Sequence, residues 1–551
     1  MPETPQSPTT SDTPARPWLR LLPANVPATL DYPEIPLYQV LADTAARRPD
    51  QAAVRFAGTS LTYRELWGSA LRFARVLADL GVGRGDRVAL MLPNCPQYVI
   101  AYYGALRAGA IVVQVNPLYT PRELGYTLTN SGARTIVVAD VLYPVVQATL
   151  PHAALDHVLV ARLRGEATLG PGARSFEETL AAASGEPPAV EVGAHDVAVL
   201  QYTGGTTGVS KGAMLTHYNL VANVLQCRAA NPELPRDDEF RILGALPLFH
   251  VYGMTVVMNL CLACGGSMVL LPRFELEPVM QTIRAFQPTL FPGVPTMYVA
   301  VNSYPDAEEY GVGSIRFCNS GGAPMPVEVM AAFERRFGAK VLEGYGLSET
   351  SPVTHGNPAW GERRPGTVGL PVADTDCQIV DVETGTRVLP TGEPGEIRLR
   401  GPQVMAGYWD MPSETADALR DGWLYTGDIG TMDADGYLTI VDRKKDLILA
   451  SGFNVYPRDV EEVLYEHPAV LEAGVAGIPD PYRGETVKAY VVLRPGASAT
   501  AADLEAFCRE RLAAYKVPRL FEFRDELPKS AVGKVLRRVL VEGEQAKPAT
   551  G

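Results

Sequence analysis

Basic residues are in deficit: 49 Lys and Arg stand against 62 Asp and Glu, a formal net charge of −13 over 551 residues. A surface that grips a phosphate backbone needs clustered Lys and Arg, so nucleic acid is not an expected partner. Cysteine is scarce. The seven present, Cys95, Cys227, Cys261, Cys264, Cys318, Cys377 and Cys508, are scattered through mostly apolar runs, which is how reduced packing residues of a cytosolic protein are distributed. Cys261 and Cys264 form a CxxC, but no second pair or neighbouring His completes a zinc site, and core packing is the expected role. The first sixteen residues are rich in Pro, Thr and Ser and lack the basic start and apolar stretch of a secretory leader. Residues 1–30 are expected to form a disordered tail. No long uncharged apolar run stands out; residues 251–271 come closest, yet they contain Asn259, Ser267 and three glycines and read as a buried helix followed by a strand. No internal repeat of fixed period is visible. Together these absences lead to the expectation of a cytoplasmic protein.

What is present is enough apolar residue, 46%, to fill several cores, and a chain too long for a single one. Short β-rich runs alternate with helical patterns from about residue 88 to 346, at 88–92, 110–115, 135–139, 197–201, 267–271 and 315–319. That alternation predicts doubly wound α/β layers. After Gly366 the texture changes to Gly- and Pro-rich turns between short alternating strands at 377–382, 396–400 and 437–441, a small β-rich subdomain. A charged break at 442–446 precedes a final α+β unit, with helices expected at 457–466 and 501–512 and strands at 488–493 and 520–523. The expected organisation is an N-terminal domain over 31–441, a hinge at 442–446, a C-terminal domain over 447–540 and a tail at 541–551.

The chemistry begins at Tyr202-Thr203-Gly204-Gly205-Thr206-Thr207-Gly208-Val209-Ser210-Lys211-Gly212, between an expected strand and a helical stretch starting near Tyr218. Four glycines let backbone N–H groups approach an anion, three threonines supply hydroxyls and one lysine supplies charge, an inventory that suits a polyphosphate. It is not the nucleotide P-loop GxxxxGK[ST], because Ser210 precedes Lys211 where that pattern has Gly. Surface turns rarely combine these residues within so short a span.

With Met214-Leu215-Thr216-His217 behind it, this loop resembles the phosphate loop of the adenylate-forming superfamily, which includes acyl-CoA synthetases, luciferases and peptide-synthetase adenylation domains. Its Gly-Gly variant looks most like the bacterial long-chain fatty acid CoA ligases. Further motifs occur in the family's order, from about residue 36 to 538. Leu246-Pro247-Leu248-Phe249-His250 resembles the aromatic-histidine motif beside the acyl carboxylate, and Gly321-Gly322-Ala323-Pro324 the segment along adenine and the acyl pocket. Without its motif, His250 would read as a hydrogen-bonded core histidine. In Glu343-Gly344-Tyr345-Gly346-Leu347-Ser348-Glu349-Thr350 the resemblance implies that Tyr345 stacks on adenine, Glu349 holds Mg²⁺ and Thr350 bonds the α-phosphate. A carboxylate suits a hard ion shared with phosphates.

The segment from Asp421-Gly422-Trp423-Leu424-Tyr425-Thr426-Gly427-Asp428 to Ile440-Val441-Asp442-Arg443-Lys444-Lys445 is similar to one typical of fatty acyl-CoA synthetases. There Asp428 would bond the ribose hydroxyls and Arg443 would also reach the ribose; Tyr425 replaces the usual His. Pro528-Lys529-Ser530-Ala531-Val532-Gly533-Lys534 resembles the C-terminal loop whose last lysine enters the adenylation site.

The resemblance therefore implies two steps. A carboxylate, inert to thiols while ionised, would attack the α-phosphorus of MgATP to give acyl-AMP, with Thr203, Lys211, Lys534 and Mg²⁺ on Glu349 stabilising the charge that builds. Coenzyme A would then attack the mixed anhydride after a rotation about Lys445, with Ser451, Gly452 and Phe453 facing the site. Other members of the expected site are Gly204, Gly205, Thr206, Thr207, Gly208, Gly346 and Ile440, with His250 and Thr203 beside Lys534 as catalytic groups. Competing readings are an acyl-AMP ligase that loads a carrier-protein thiol, an aryl-acid CoA ligase, for which Ala323-Pro324 speaks, and a non-catalytic lipid- or nucleotide-binding protein. The family also suggests a homodimer.

Overall fold

The computed structural model describes residues 16–164, 168–203, 210–444, 446–450, 453–480, 484–531 and 533–545. Two large, mostly parallel sheets carry the N-terminal part. The first has seven strands in the order Ala173–Ser175, His157–Ala161, Thr135–Ala139, Arg87–Met91, Ile111–Gln114, Val197–Thr203 and Lys211–Thr216, all parallel except the last pair. Its central strands are fully buried runs such as Ile136, Val137 and Val138, as expected of a parallel sheet covered on both faces.

The second sheet has nine strands. Its parallel centre runs Lys340–Gly346, Phe317–Ser320, Leu290–Gly293, Arg241–Gly244, Ser267–Leu270 and Ala52–Phe56, and short antiparallel strands close both ends. Helix Pro96–Arg107 contributes to a core that takes in residues of both sheets, Val88 and Leu90 of the first and Ile242 and Leu243 of the second. The turn before it is a fixed point. Asn94 Nδ2 donates to Gly244 O (3.0 Å) and Leu246 O (2.8 Å), and Asn94 Oδ1 accepts from Leu248 N (2.8 Å).

A five-stranded antiparallel sheet follows, built from Asp376–Val380, Gly395–Arg400, Trp423–Met432, Leu419–Arg420 and Leu438–Arg443. The C-terminal unit has a sheet of its own. There Ile448–Ala450, Phe453–Val455, Val470–Asp480, Gly484–Leu493 and Leu520–Phe523 pack with helices Pro457–Glu466 and Ala501–Arg509 over a separate apolar core.

Doubly wound layers, a β-rich subdomain and a small α+β unit are thus all present. Three local expectations need correction. Residues 16–30 are not a disordered tail, because Trp18, in the 3₁₀ turn Pro17–Leu21, is buried with Leu370 and Tyr437, and Arg16 Nε donates to Asp376 Oδ1 at 2.7 Å. The buried helix followed by a strand expected at 251–271 is present, its first part, residues 253–259, being π-helical; an added Cβ on Gly253 would lie 2.1 Å from Pro247 O, so glycine alone permits that approach. The second C-terminal helix stops at Arg509, short of 512, and the last helix, Arg537–Gln545, extends into the expected tail. All seven cysteines are buried.

Candidate active site

One cavity of about 1300 Å³ is lined by both large sheets, the antiparallel subdomain and the C-terminal unit. It gathers most of the described residues that the motifs single out: Thr203, Lys211, His250, Gly322, Ala323, Pro324, Tyr345, Gly346, Glu349, Asp428, Ile440, Arg443 and Lys534 all line it. Four buried polar atoms on its wall have no hydrogen-bond partner among the described residues, namely Gln201 Oε1, Ser320 Oγ, Glu343 Oε2 and His355 Nε2. Such atoms are rare in a folded interior unless a ligand or water completes them.

The phosphate-loop hairpin is described at its two ends. Thr203 pairs with Lys211 across strands, and Ser210 Oγ donates to Thr203 O; Gly204, Gly205, Thr206, Thr207 and Gly208 lie outside the described residues. A second segment runs beside it, with Met214 N donating to Gly407 O (2.8 Å), Ala406 N to Met214 O (2.9 Å) and Trp409 N to Gly212 O (2.8 Å). This ladder brings Tyr408 under Lys211, whose ammonium lies 5.0 Å from the ring centre. The Tyr408 hydroxyl donates to Glu349 Oε1 at 2.7 Å, so one ring touches both a cation and a carboxylate of the cavity wall. Tyr408 belongs to no motif singled out from sequence. Only the Gly407-Tyr408 pair, with Gly407 at φ +142°, hints at it.

Elsewhere on the cavity wall, Tyr345 donates its hydroxyl to Asp428 Oδ2 at 2.6 Å, and Arg443 Nε stands 3.5 Å from Asp428 Oδ1. Asp428 and Arg443 are direct cross-strand partners, which explains how residues fifteen apart share one point. Burial raises the Asp428 carboxyl above the usual carboxylate range, while Arg443, the Tyr345 hydroxyl and the Lys534 ammonium oppose that rise. Gly346 follows Tyr345 because a Cβ there would sit 2.0 Å from Pro352 O.

Thr350 is not on the cavity wall. It is fully buried, and its hydroxyl is committed to backbone, accepting from Leu347 N (3.0 Å) and donating to Pro352 O. In this structure the Thr350 hydroxyl is thus turned to backbone and not to the cavity. Ser348, two residues earlier in the same 3₁₀ turn Ser348–Thr350, does line the cavity beside Glu349.

His250 ends the stretch that Asn94 holds. Its Nδ1 accepts from Tyr252 N at 3.2 Å, so the neutral ring carries its proton on Nε2. Burial, aided by the Lys534 cation, pushes this imidazole down to about 4. By contrast His217 is a core residue, fully inside, with Nδ1 accepting from Leu37 N at 3.0 Å. An apolar part of the cavity wall, its apolar limb, includes Val256 of the π-helical stretch, Leu260 just after it, Leu234, Trp360, Trp18 and Leu22.

Lys534 reaches the cavity from the C-terminal unit. Its loop turns on itself, with Ser530 N donating to Lys534 O (2.8 Å) and Lys534 N to Ser530 Oγ (3.2 Å), and Gly533 abuts Thr296. Burial and the Arg443 cation push the Lys534 ammonium down to about 8 against the pull of Asp428 and Asp446. Lys445, Ser451 and Gly452 lie outside the described residues, and of Phe453 only the backbone is described, in strand Phe453–Val455. Among the described residues no group of three or more His, Cys, Asp and Glu could enclose a metal ion. Glu349 alone still suits Mg²⁺, which binds through one or two carboxylates while phosphates and water complete its shell.

Comparison with known proteins agrees with this geometry. Residues 41–409 match the AMP-binding enzyme family and 459–534 the AMP-binding enzyme C-terminal domain. A long-chain-fatty-acid–CoA ligase of Bacillus subtilis is 48% identical over 96% of this chain and 98% of its own length. The ATP-bound crystal structure of MatB from Rhodopseudomonas palustris is 34% identical and superimposes with a TM-score of 0.84 over 93% of this chain and 99% of that one. The apo structure of the same protein, over the same shares of the two chains, gives 0.74.

Proposed function

Because the chain belongs to the AMP-binding enzyme family, we propose that it is an ATP-dependent acid–thiol ligase that activates a long-chain fatty acid as acyl-AMP and passes the acyl group to coenzyme A. The observation that carries the reading is the convergence of Lys534 from the C-terminal unit with Asp428, Arg443 and His250 of the N-terminal part on one cavity. The near full-length likeness to a long-chain-fatty-acid–CoA ligase supports the substrate class.

Each residue has a task that its surroundings allow. Tyr345 offers a ring for adenine, and Asp428 and Arg443 face the ribose, whose hydroxyls would take the place of the Tyr345 hydroxyl on Asp428. Thr203, Lys211 and Ser348 hold phosphate oxygens. Glu349, oriented by Tyr408, would hold Mg²⁺, which supplies charge neutralisation for the phosphates. Neutral His250 donates from Nε2 to the fatty carboxylate, whose chain enters the apolar limb. As the carboxylate oxygen attacks the α-phosphorus, the anhydride bond forms, pyrophosphate leaves, and the Lys534 ammonium meets the developing negative charge. The thiol sulfur of coenzyme A then bonds to the acyl carbon, the proton is lost to solvent and AMP departs.

The coenzyme A step is proposed to need a different placement of the C-terminal unit, pivoting at Lys445, with Ser451, Gly452 and Phe453 turned to the site. The greater likeness to ATP-bound than to apo MatB fits a structure in the adenylating arrangement. A homodimer and contact with the inner membrane face remain family-based proposals. Among the described residues no helix is long and apolar enough to cross a membrane. The test is product formation from palmitate, MgATP and coenzyme A: equal AMP and palmitoyl-CoA are expected. Turnover that requires a carrier protein instead, or an aromatic acid, would replace this reading.

A further inference from the structure

Asp442 sits one residue before Arg443 and three residues before the expected pivot, and it is nearly fully buried. Its carboxylate is a junction. Oδ1 accepts from its neighbour Arg443 N (2.7 Å) and from Arg537 Nη1 (2.8 Å), and Oδ2 accepts from Arg458 N (3.1 Å). Arg458 is the second residue of helix Pro457–Glu466 and Arg537 begins the last helix, so one side chain collects two separate segments of that unit. Arg537 is further held by Glu461, at 2.7 Å from Nη2, and by Asp446, at 3.2 Å from Nη1. Arg458 Nη1 in turn donates to Ile440 O at 2.6 Å, which closes the contact back onto the strand that carries Asp442.

Arg537 lies three residues beyond Lys534. The chain between them has little freedom, since Leu536 N donates to Pro528 O at 2.8 Å and Lys534 is tied to Ser530 in both directions. A shift of Arg537 is therefore transmitted to Lys534. By comparison, the direct polar contact of this loop with the N-terminal part, Thr296 Oγ1 to Gly533 O, is long at 3.5 Å.

From this geometry we infer that Asp442, acting through Arg537, is a positioning residue that sets Lys534 against the adenylation site. The inference rests on the adenylating role given to Lys534 above. It assigns Asp442 no contact with substrate. Asp442 is buried, so loss of Arg537 leaves its carboxylate without a cation, whereas Arg537 without Asp442 keeps Glu461 and Asp446 and loses only its tie to the strand; an uncharged isostere at 442 weakens that tie with little disturbance.

The test uses the full chain with palmitate and compares Asp442→Asn and Arg537→Lys, each alone and combined with Lys534→Ala. Pyrophosphate-forming adenylation should fall by roughly 10²-fold in Asp442→Asn, the scale expected of a misplaced catalytic group. Acylation of coenzyme A from supplied palmitoyl-AMP should stay within a factor of about two. In the Lys534→Ala background neither change should matter, because the group being positioned is gone. Arg537→Lys gives the same pattern if Asp442→Asn fails to fold. Equal slowing of both half-reactions, or the same fold-loss with and without Lys534, overturns the inference. Absence of adenylation by the unaltered protein would instead overturn the ligase reading itself.

Discussion

The hydroxyl of Tyr408 donates to Glu349 Oε1 at 2.7 Å while the ammonium of Lys211 lies 5.0 Å from the centre of the same ring. A single tyrosine thus fixes the orientation of the carboxylate proposed for Mg²⁺ and the station of the phosphate-loop lysine. Both contacts depend on the backbone ladder that ties residues 405–409 to the hairpin.

Tyr408→Phe keeps the ring beneath Lys211 and loses only the hydrogen bond to Glu349. Such a bond to a charged group is worth about 1.5–3 kcal/mol, so adenylation should slow by roughly 10- to 100-fold. Glu349→Ala should go further and abolish MgATP-dependent pyrophosphate release. Thermal midpoints should move little in both variants, since Glu349 is only partly buried and packs no core. A lost melting transition with full specific activity in the folded remainder would show Glu349 to be structural.

The ammonium of Lys534 titrates near 8, and only the charged form can meet the charge that develops on phosphate. Its pKa is lowered, so the proton is held below about 8 and lost as pH rises through that value. The rate constant kcat/KM for adenylation, which reports the free enzyme, should therefore fall on the alkaline side with a midpoint near 8. Lys534→Arg should lack that limb, because guanidinium stays charged. A flat wild-type profile from pH 7 to about 9.5 would remove Lys534 from the charged role.

His250 is held neutral, near 4, by burial beside Lys534. It should give no titration step between about pH 5 and 8, where an ordinary histidine would. His250→Ala should raise KM for the fatty acid and leave KM for ATP unchanged, because its Nε2 proton is offered to the carboxylate alone. Equal loss toward both substrates would place the residue elsewhere in the reaction.

How far the sequence could be read depended on whether local pattern or distant contact decided the outcome. Strand Thr135–Ala139 and helix Pro457–Glu466 were legible to the residue, one a β-branched run and the other opened by Pro at its first turn. Asp428 and Arg443 were legible through the family resemblance, and their pairing across a hairpin supplies the reason. Ser348 and Thr350 could not be separated from spacing. Both are hydroxyls flanking Glu349, and only the 3₁₀ turn decides which faces the cavity. Tyr408 was missed because the ladder that places it joins residues nearly two hundred positions apart, and the π-helical register after Gly253 depends on contact with Pro247 O, which no periodicity records. Trp18 was assigned to a tail on composition, whereas a single aromatic ring with a pocket to fill outweighs its Pro- and Thr-rich neighbours.

That same Trp18 is one of the apolar residues on the cavity wall, and the apolar limb leads to a prediction about chain length. Each buried CH₂ contributes about 0.8 kcal/mol, close to fourfold in binding, so kcat/KM should climb with acyl length for as long as added methylenes find wall to touch. Palmitate should exceed octanoate by orders of magnitude if the limb accepts both. Leu234→Trp tests the path directly, because Leu234 lies on the wall and is only half-buried, so the larger ring can enter the limb without dismantling a core. The variant should move the optimum to shorter acids while leaving KM for ATP and activity on octanoate nearly intact. A profile that keeps its shape in Leu234→Trp would mean the chain leaves His250 by another route, and a sharp wild-type optimum at an aromatic acid would mean that the limb does not take an alkyl chain at all.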